Sequence, residues 1–338
     1  MTAGPGRRRR AIPAVSAVGA ALTLALAVTG CRIPGTGSSA AAPTHATITV
    51  AAQPGVATAP LYLGIRDGLF RQAGLTVKIQ TANSVTAEMS ALQKGTAQVV
   101  VGDYADFFFA QQQVSHPGFL LVADAYDAAP SVMQVLTLPT SGISSPKQLA
   151  GKTIGTSAPQ AIPFSKTLPY SEETFATQSV LTNDGVNLKT VNWKPMATSQ
   201  LVGALSSHQV DAIVATEPTI YQAETQVGAT AVIDSCSGET DSLPLDGYFT
   251  NHTQGQRNHS AMVAFRTALL QSQAQAAATT PVQSVLASTA HMGKRTAALV
   301  TLGTYPTALA VGDIQRVPTL MNTFNRLSPL SVSNMVFH

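Results

Sequence analysis

Polar side chains gather at four turns where an apolar strand pattern gives way to a helix. Gln53 and Thr58 stand in QPGVATAP, Asp103 and Tyr104 in GDYAD, Thr156 and Ser157 in GTSAP, and Thr216 and Glu217 in ATEP. In an open α/β sheet such turns lie beyond the carboxyl ends of the strands, where ligands sit. Free backbone N–H groups and the dipole of a helix start attract an anionic head group without any formal positive charge. Asp103 and Glu217 suit an amine or a ring N–H instead. Each residue also has a structural reading. Thr58 fits a helix cap, as does Asp103 with Asp106 three residues on. Glu217, before Pro218, fits an acid at a helix start, whereas Thr156 and Ser157 precede a proline loop with no evident capping duty. Tyr126 and Tyr248 fit either stacking on a ligand or packing a hinge.

Motifs for bond-breaking chemistry fail one by one. GKT at Gly151 to Thr153 lacks the phosphate-loop glycine five residues before Lys152, where Lys147 stands. The seven histidines lack metal-ligand spacing, with His252 and His259 an isolated pair. No GxSxG elbow is present. Cys236 in VIDSCSGET reads as a small buried apolar group rather than a nucleophile. The expectation is a binding protein without metal or cofactor, not an enzyme.

The start of the chain indicates where that binding takes place. Arg7 to Arg10 precede the apolar run AIPAVSAVGAALTLALAV, and small residues then lead into Cys31, the order of an export signal. Val28, Thr29, Gly30 and Cys31 resemble the bacterial lipobox, with Val28 where Leu is usual. That resemblance implies a signal peptide over residues 1–30, a lipidated Cys31 and a body held at a membrane surface by a two-chain anchor. A membrane-spanning helix is the alternative, which Pro13 and the small residues before Cys31 disfavour. Removing the four arginines of the leader leaves 16 basic against 17 acidic residues, so the basic excess belongs to the leader and nothing suggests nucleic acid. With Cys31 acylated, Cys236 has no disulfide partner. Residues 31–46, rich in Gly, Ser, Ala and Pro, read as a flexible tether.

At 338 residues the chain is long for one core, and only 11% of it is charged against 45% apolar, so two packed lobes are expected. TITVAA, TVKIQ and AQVVVG read as strands, alternating with helices over 60–67 and TAEMSALQKG, the latter capped by Thr86 and Gly95. GFLLVADAY and SVMQVLTLP follow as strands. A second βα series starts at SSPKQLAGKTIGTS, where Ser145, Pro146 and Gln148 suggest a capped single turn. It continues with helix 171–182, TVNW, helix 199–207, DAIVAT, a helix from Pro218, and TAVID. DGYFTN returns as a strand, and a long helix is expected over 256–277 with Met262, Phe265 and Leu269 on one face.

Six segments in this order resemble the solute-binding proteins of ABC importers for nitrate, sulfonates, taurine and pyrimidine-type thiamine precursors. They are APLYLGIRDGLFRQAGLTVKI, ALQKGTAQVVVGD, SSPKQLAGKTIGTS, LTNDGVNLKTVNW, ALSSHQVDAIVATEP and DGYFTN, spanning about 190 residues. The family usually places Gly in the turn before the DA strand, where Ser207, His208 and Gln209 stand. The resemblance implies an α/β, bilobed, type II periplasmic-binding-protein-like fold: two doubly wound lobes joined by two crossing segments. Residues 47–130 plus 246–338 would form one lobe and 131–245 the other, with the ligand held between them by Gln53, Thr58, Asp103, Tyr104, Thr156, Ser157, Thr216, Glu217 and Tyr248. It further implies an exported, lipid-anchored monomer on the outer face of the cytoplasmic membrane that delivers a small solute to an ABC permease. A sulfonate-like solute is the first expectation, with nitrate or a thiamine-pyrimidine precursor as alternatives. A pyrimidine-synthesis enzyme of the same fold and a sensory lipoprotein are the rival roles.

Overall fold

A computed structural model of the chain describes residues 46–113, 118–158, 171–290, 292–324 and 326–338. The leader, Cys31 and the tether up to residue 45 lie outside these residues; Ala46, expected to end the tether, instead opens the first strand and pairs with Leu75.

The strand order repeats itself. β1 (Ala46–Ala52), β2 (Leu75–Thr81), β3 (Val99–Asp103), β4 (Phe119–Asp127) and a late strand, β10 (Pro244–Asn251), make a sheet in the order β2-β1-β3-β10-β4. β5 (Met133–Thr137), β6 (Thr153–Ser157), β7 (Asn192–Met196), β8 (Ala212–Thr216) and β9 (Thr230–Asp234) make a second in the order β7-β6-β8-β5-β9. In each sheet four strands run the same way and one runs antiparallel to them, β10 in the first and β5 in the second. The chain passes between the sheets twice, over 128–132 and 235–243, as a type II bilobed fold requires. The parallel strands are near-continuous apolar runs because helices cover both faces: Ile48, Val50, Val99 and Val100 are wholly buried, as are Ile154, Ala212 and Ile213.

The helices form where capping and apolar spacing direct them. Helix Ala59–Arg66 starts with a proline, whose missing N–H costs nothing in a first turn. Its Leu61 and Leu63 are fully buried, and Gly64 lies against Phe70 and Ser272, where a larger residue would collide. Helix Val85–Lys94 is capped by Ser84, whose Oγ accepts the Ala87 N–H at 3.2 Å; Thr86, expected as the cap, already lies inside the helix. Gly95 ends it at φ 72°, a left-handed conformation that glycine adopts freely. Gln148 accepts the N–H groups of Ser144 and Ser145 at the expected short turn Pro146–Leu149.

The long C-terminal helix breaks in two. His252–Arg257 and His259–Ala276 meet at Asn258, whose Nδ2 donates to the Gln254 carbonyl at 3.1 Å. Met262, Phe265 and Leu269 are fully buried against the first sheet. The later helix Arg316–Thr323 packs on Tyr104–Gln113, which follows β3, and on Glu172–Asn183, which follows the β6 turn. One apolar cluster therefore runs from Val100 and Phe249 of the first sheet through Val317 and Met321 to Ile154 and Val214 of the second. Among the described residues no helix is long and apolar enough to cross a membrane.

Candidate ligand cleft

The ends of β1, β3, β6 and β8 meet in one cleft. Gln53 and Thr58 after β1, Asp103 at the end of β3 with Asp106 in the helix that follows, and Ser157 at the end of β6 line a space of about 390 Å³ together with Glu217 after β8. It adjoins a smaller chamber of about 120 Å³. Thr216 and Met133, facing partners at the start of the β5–β8 ladder, form part of its wall. Val56, Tyr126, Val132 and Leu245 complete the apolar side.

The threonine after β1 organises its own loop. Thr58 Oγ1 donates toward the carbonyls of Gln53 (3.0 Å) and Gly55 (3.1 Å) and accepts the Gly55 N–H at 3.0 Å, so the hydroxyl shapes the turn rather than capping the helix. Asp103 does cap: its Oδ1 accepts the Asp106 N–H at 3.1 Å while its side chain lines both spaces. Ser157 Oγ lies 3.2 Å from Ser171 Oγ and donates to Glu173 Oε2 at 3.3 Å. Glu217 reaches in two directions, accepting the Tyr221 N–H at 3.2 Å from its own helix and the Thr301 N–H at 3.0 Å. Thr301 belongs to a segment tied to the first sheet through the Asp127–Thr304 bridge, so Glu217 joins the two halves.

Three expected site residues do not reach the cleft. Tyr104 is wholly buried between Phe108 and Phe249 and donates to Asp124 Oδ1 at 2.9 Å. Tyr248 is wholly buried against Phe265 on the opposite side of the sheet core, its hydroxyl without a partner. Thr156 is equally buried, because it alternates with Ser157 on β6 and faces the core when Ser157 faces the cleft. Tyr126 lines the chamber, its hydroxyl held by the Gly303 N–H at 2.5 Å and its ring beside Tyr305. Cys236 is buried on the second crossing segment, where burial pushes its thiol up to about 12.

The acids of the lining are the main addition to what the sequence suggested. Glu172 and Glu173 enter from the start of helix Glu172–Asn183, Asp246 from β10 and Glu88 from helix Val85–Lys94. Asp246 lies directly opposite Asp103 in the β3–β10 ladder, an arrangement that like charges disfavour. Glu172 is 3% exposed and Glu88 1%, and neither carboxyl completes a hydrogen bond, although the Asp103 carboxyl lies beside the first and the Gln53 side chain beside the second. Among the described residues the lining holds no Lys, Arg or His. Burial, then the neighbouring Glu173, raises Asp103 to about 6; burial, then Asp103, raises Asp246 to about 8. Glu172 is driven well above the usual carboxylate range by burial and next by Asp103, and Glu88 by burial and next by Asp246. Asp106 is raised by burial and Asp103, and Glu217 by burial. Among the described residues no group of three or more acidic, histidine or cysteine side chains has the geometry to hold a metal ion.

The fold recurs in solved structures. The aliphatic sulphonate binding protein SsuA of Escherichia coli superposes with a TM-score of 0.68 at 13% identity, over 86% of this chain and 97% of that one. The alkanesulfonate-binding protein SsuA of Xanthomonas axonopodis pv. citri, bound to MOPS, gives 0.62 at 17% identity, over 87% and 99%. The desulfurization enzyme DszB, seen as a cysteine-to-serine mutant with biphenyl-2-sulfinic acid, gives 0.65 at 16%, over 86% and 96%. No curated protein matches the sequence. A family model does, over residues 56–284, from the loop that lines the cleft to the helices behind the first sheet: the chain belongs to the NMT1/THI5-like family.

Proposed function

We propose that this protein is a lipid-anchored extracytoplasmic receptor that takes a small organic solute into the cleft and hands it to an ABC importer. The observation that carries the reading is the origin of the lining: all four strand-end turns, both sheets and β10 contribute to one space. A solute there touches both halves at once and stabilises their closed arrangement by its differential affinity for it. Membership of the NMT1/THI5-like family supports a solute-binding role, and Cys31 with the tether supports attachment to the membrane. The chemistry of the lining supports a nitrogenous solute over a sulfonate, because among the described residues carboxyls line the space and cationic side chains do not.

DszB is an enzyme on this fold. The described lining here offers neither a cysteine nor a histidine to attack or shuttle a proton, which supports binding without bond breakage. The test has two parts. A thermal-shift screen of the purified chain against small solutes should find one that raises Tm, since a ligand at a hundredfold its Kd adds about 2.7 kcal/mol. Deletion of the gene should then abolish cellular uptake of that solute, and Cys31→Ala should release the protein from the membrane fraction. A hit consumed by the purified protein, or uptake unaffected by the deletion, would refute the receptor reading.

A further inference from the structure

We infer that the inner chamber is built for a small organic cation whose charged nitrogen carries N–H donors, a primary ammonium or an amidinium, and that Glu172 is the group it meets deepest in the cleft. The inference rests on the receptor reading and specifies its ligand.

Two independent observations converge on it. The first is the unmet hydrogen bonding of Glu172: its carboxyl is 3% exposed, lines the chamber, and has no completed hydrogen bond to either oxygen. Its polar neighbour, the Asp103 carboxyl, is itself an acceptor unless a proton sits between the two. Buried carboxyl oxygens are almost always hydrogen-bonded, and leaving one unmet carries the full cost of its desolvation. The second is the charge balance around it. Among the described residues, Asp103, Glu173, Glu217 and Asp246 share the chamber wall with no cationic side chain. A sulfonate brings neither a donor nor a compensating charge. A neutral hydroxylated solute brings donors but leaves the charges unbalanced. A cation bearing N–H groups supplies both.

The remaining wall sets the shape of the solute. Val132, Met133 and Leu245 offer an apolar surface beside the acids, and Tyr126, fixed by Gly303, adds an aromatic ring able to lie against a cation. An organic ion with an apolar body fits such a wall. A bare metal ion does not, and the described residues present no metal-holding group. Burial raises Asp103 to about 6 and Asp246 to about 8, so a bound cation, which favours the ionised acids, displaces part of their proton uptake.

Isothermal titration calorimetry on the full-length chain near neutral pH tests this with straight-chain primary amines from ethyl to octyl, the matching alkylamidines, tetramethylammonium and methanesulfonate. At least one primary amine or amidine is expected to bind with one-to-one stoichiometry and to release protons, so that the measured heat varies with the ionisation enthalpy of the buffer. Tetramethylammonium, lacking N–H donors, is expected to bind at least tenfold more weakly. Glu172→Gln should weaken the best cation at least tenfold while unfolding at an unchanged temperature without ligand, because a carboxyl held neutral by burial resembles an amide. Methanesulfonate binding where every cation fails would overturn the inference and leave the receptor reading standing. Equal binding of tetramethylammonium, or unchanged affinity in a folded Glu172→Gln variant, would also overturn it. Failure of every compound here and of the wider solute screen would remove the receptor reading as well.

Discussion

Asp103 and Asp246 face each other across the β3–β10 ladder, half-buried and with no cation in the described lining to balance them. Two carboxyls opposed in this way destabilise a sheet, and buried like charges resist joint ionisation. A fold that keeps such a pair gives up stability at a site where function compensates for it. Asp246→Asn removes one ionisable partner and keeps the shape. At pH 8, where Asp246 is in mid-titration, the variant should unfold about 1 kcal/mol less readily by urea titration, and any cation held in the chamber should bind at least tenfold more weakly. Stability lost in place of stability gained would show that the pair is not strained. The sequence made part of this site legible: Gln53, Asp103, Ser157 and Glu217 stand at strand ends, and the fold brings them to one cleft. Which neighbour faces inward was not legible, because that depends on strand phase. Ser157 and Thr156 alternate, while Asp246 and Tyr248 share one strand but differ in place along it: Asp246 sits at its cleft end and Tyr248 is buried in the core. Glu88 and Glu172 were missed because their unmet hydrogen bonding is a property of the packed fold, and an acid in a helix's first turn reads as an ordinary dipole partner.

At the scale of elements, one side chain ties the end of the second crossing segment to a distant helix. Arg316 donates to the carbonyls of Glu239 (2.7 Å), Asp241 (2.6 Å) and Ser242 (3.2 Å), which binds residues 239–242 to the start of helix Arg316–Thr323. The same helix buries Val317 and Met321 in the cluster shared by both sheets. Hydrogen bonds from a charged donor contribute about 1.5–3 kcal/mol each when buried; these are exposed, so Arg316→Met should cost about 1 kcal/mol in total and accelerate amide exchange over residues 239–243. Unchanged exchange there would show that the helix is held by its apolar face alone. The turn before β8 behaves differently. His208 adopts φ 55°, in the left-handed region, a conformation costing an ordinary residue about 1–2 kcal/mol. His208→Gly should therefore raise Tm by about 1–2 °C after the entropy of glycine is discounted. The βα order was readable because apolar runs and turn residues alternate with a regular period. The bridging role of helix Arg316–Thr323 was not, since the contacts that define it lie more than a hundred residues away in sequence.

For the whole molecule, the acids of the cleft and of the adjoining hinge predict how stability varies with pH. Burial raises Asp103 to about 6, Asp124 to about 7, and Asp127 and Asp246 to about 8, all above the unfolded carboxylate range near 4. A carboxyl whose folded pKa lies above its unfolded value binds its proton more tightly when folded. Its contribution is therefore fully present below about pH 4 and is lost as pH rises through the folded value. Between pH 5 and pH 8.5 the folded chain carries more protons than the unfolded one, so the unligated protein should lose stability steadily, with Tm falling about 2 °C for each 1 kcal/mol lost. A bound cation reverses part of this trend, because it favours the ionised chamber acids and takes the place of their protons. Differential scanning calorimetry across that range should show a falling Tm without ligand and a flatter one with the best-binding amine, while Asp124 and Asp127, outside the chamber lining, keep the residual slope. A Tm that rose with pH in the unligated protein would mean that the acids are already compensated in the native state. The coupling of cation capture to proton release would then have no basis.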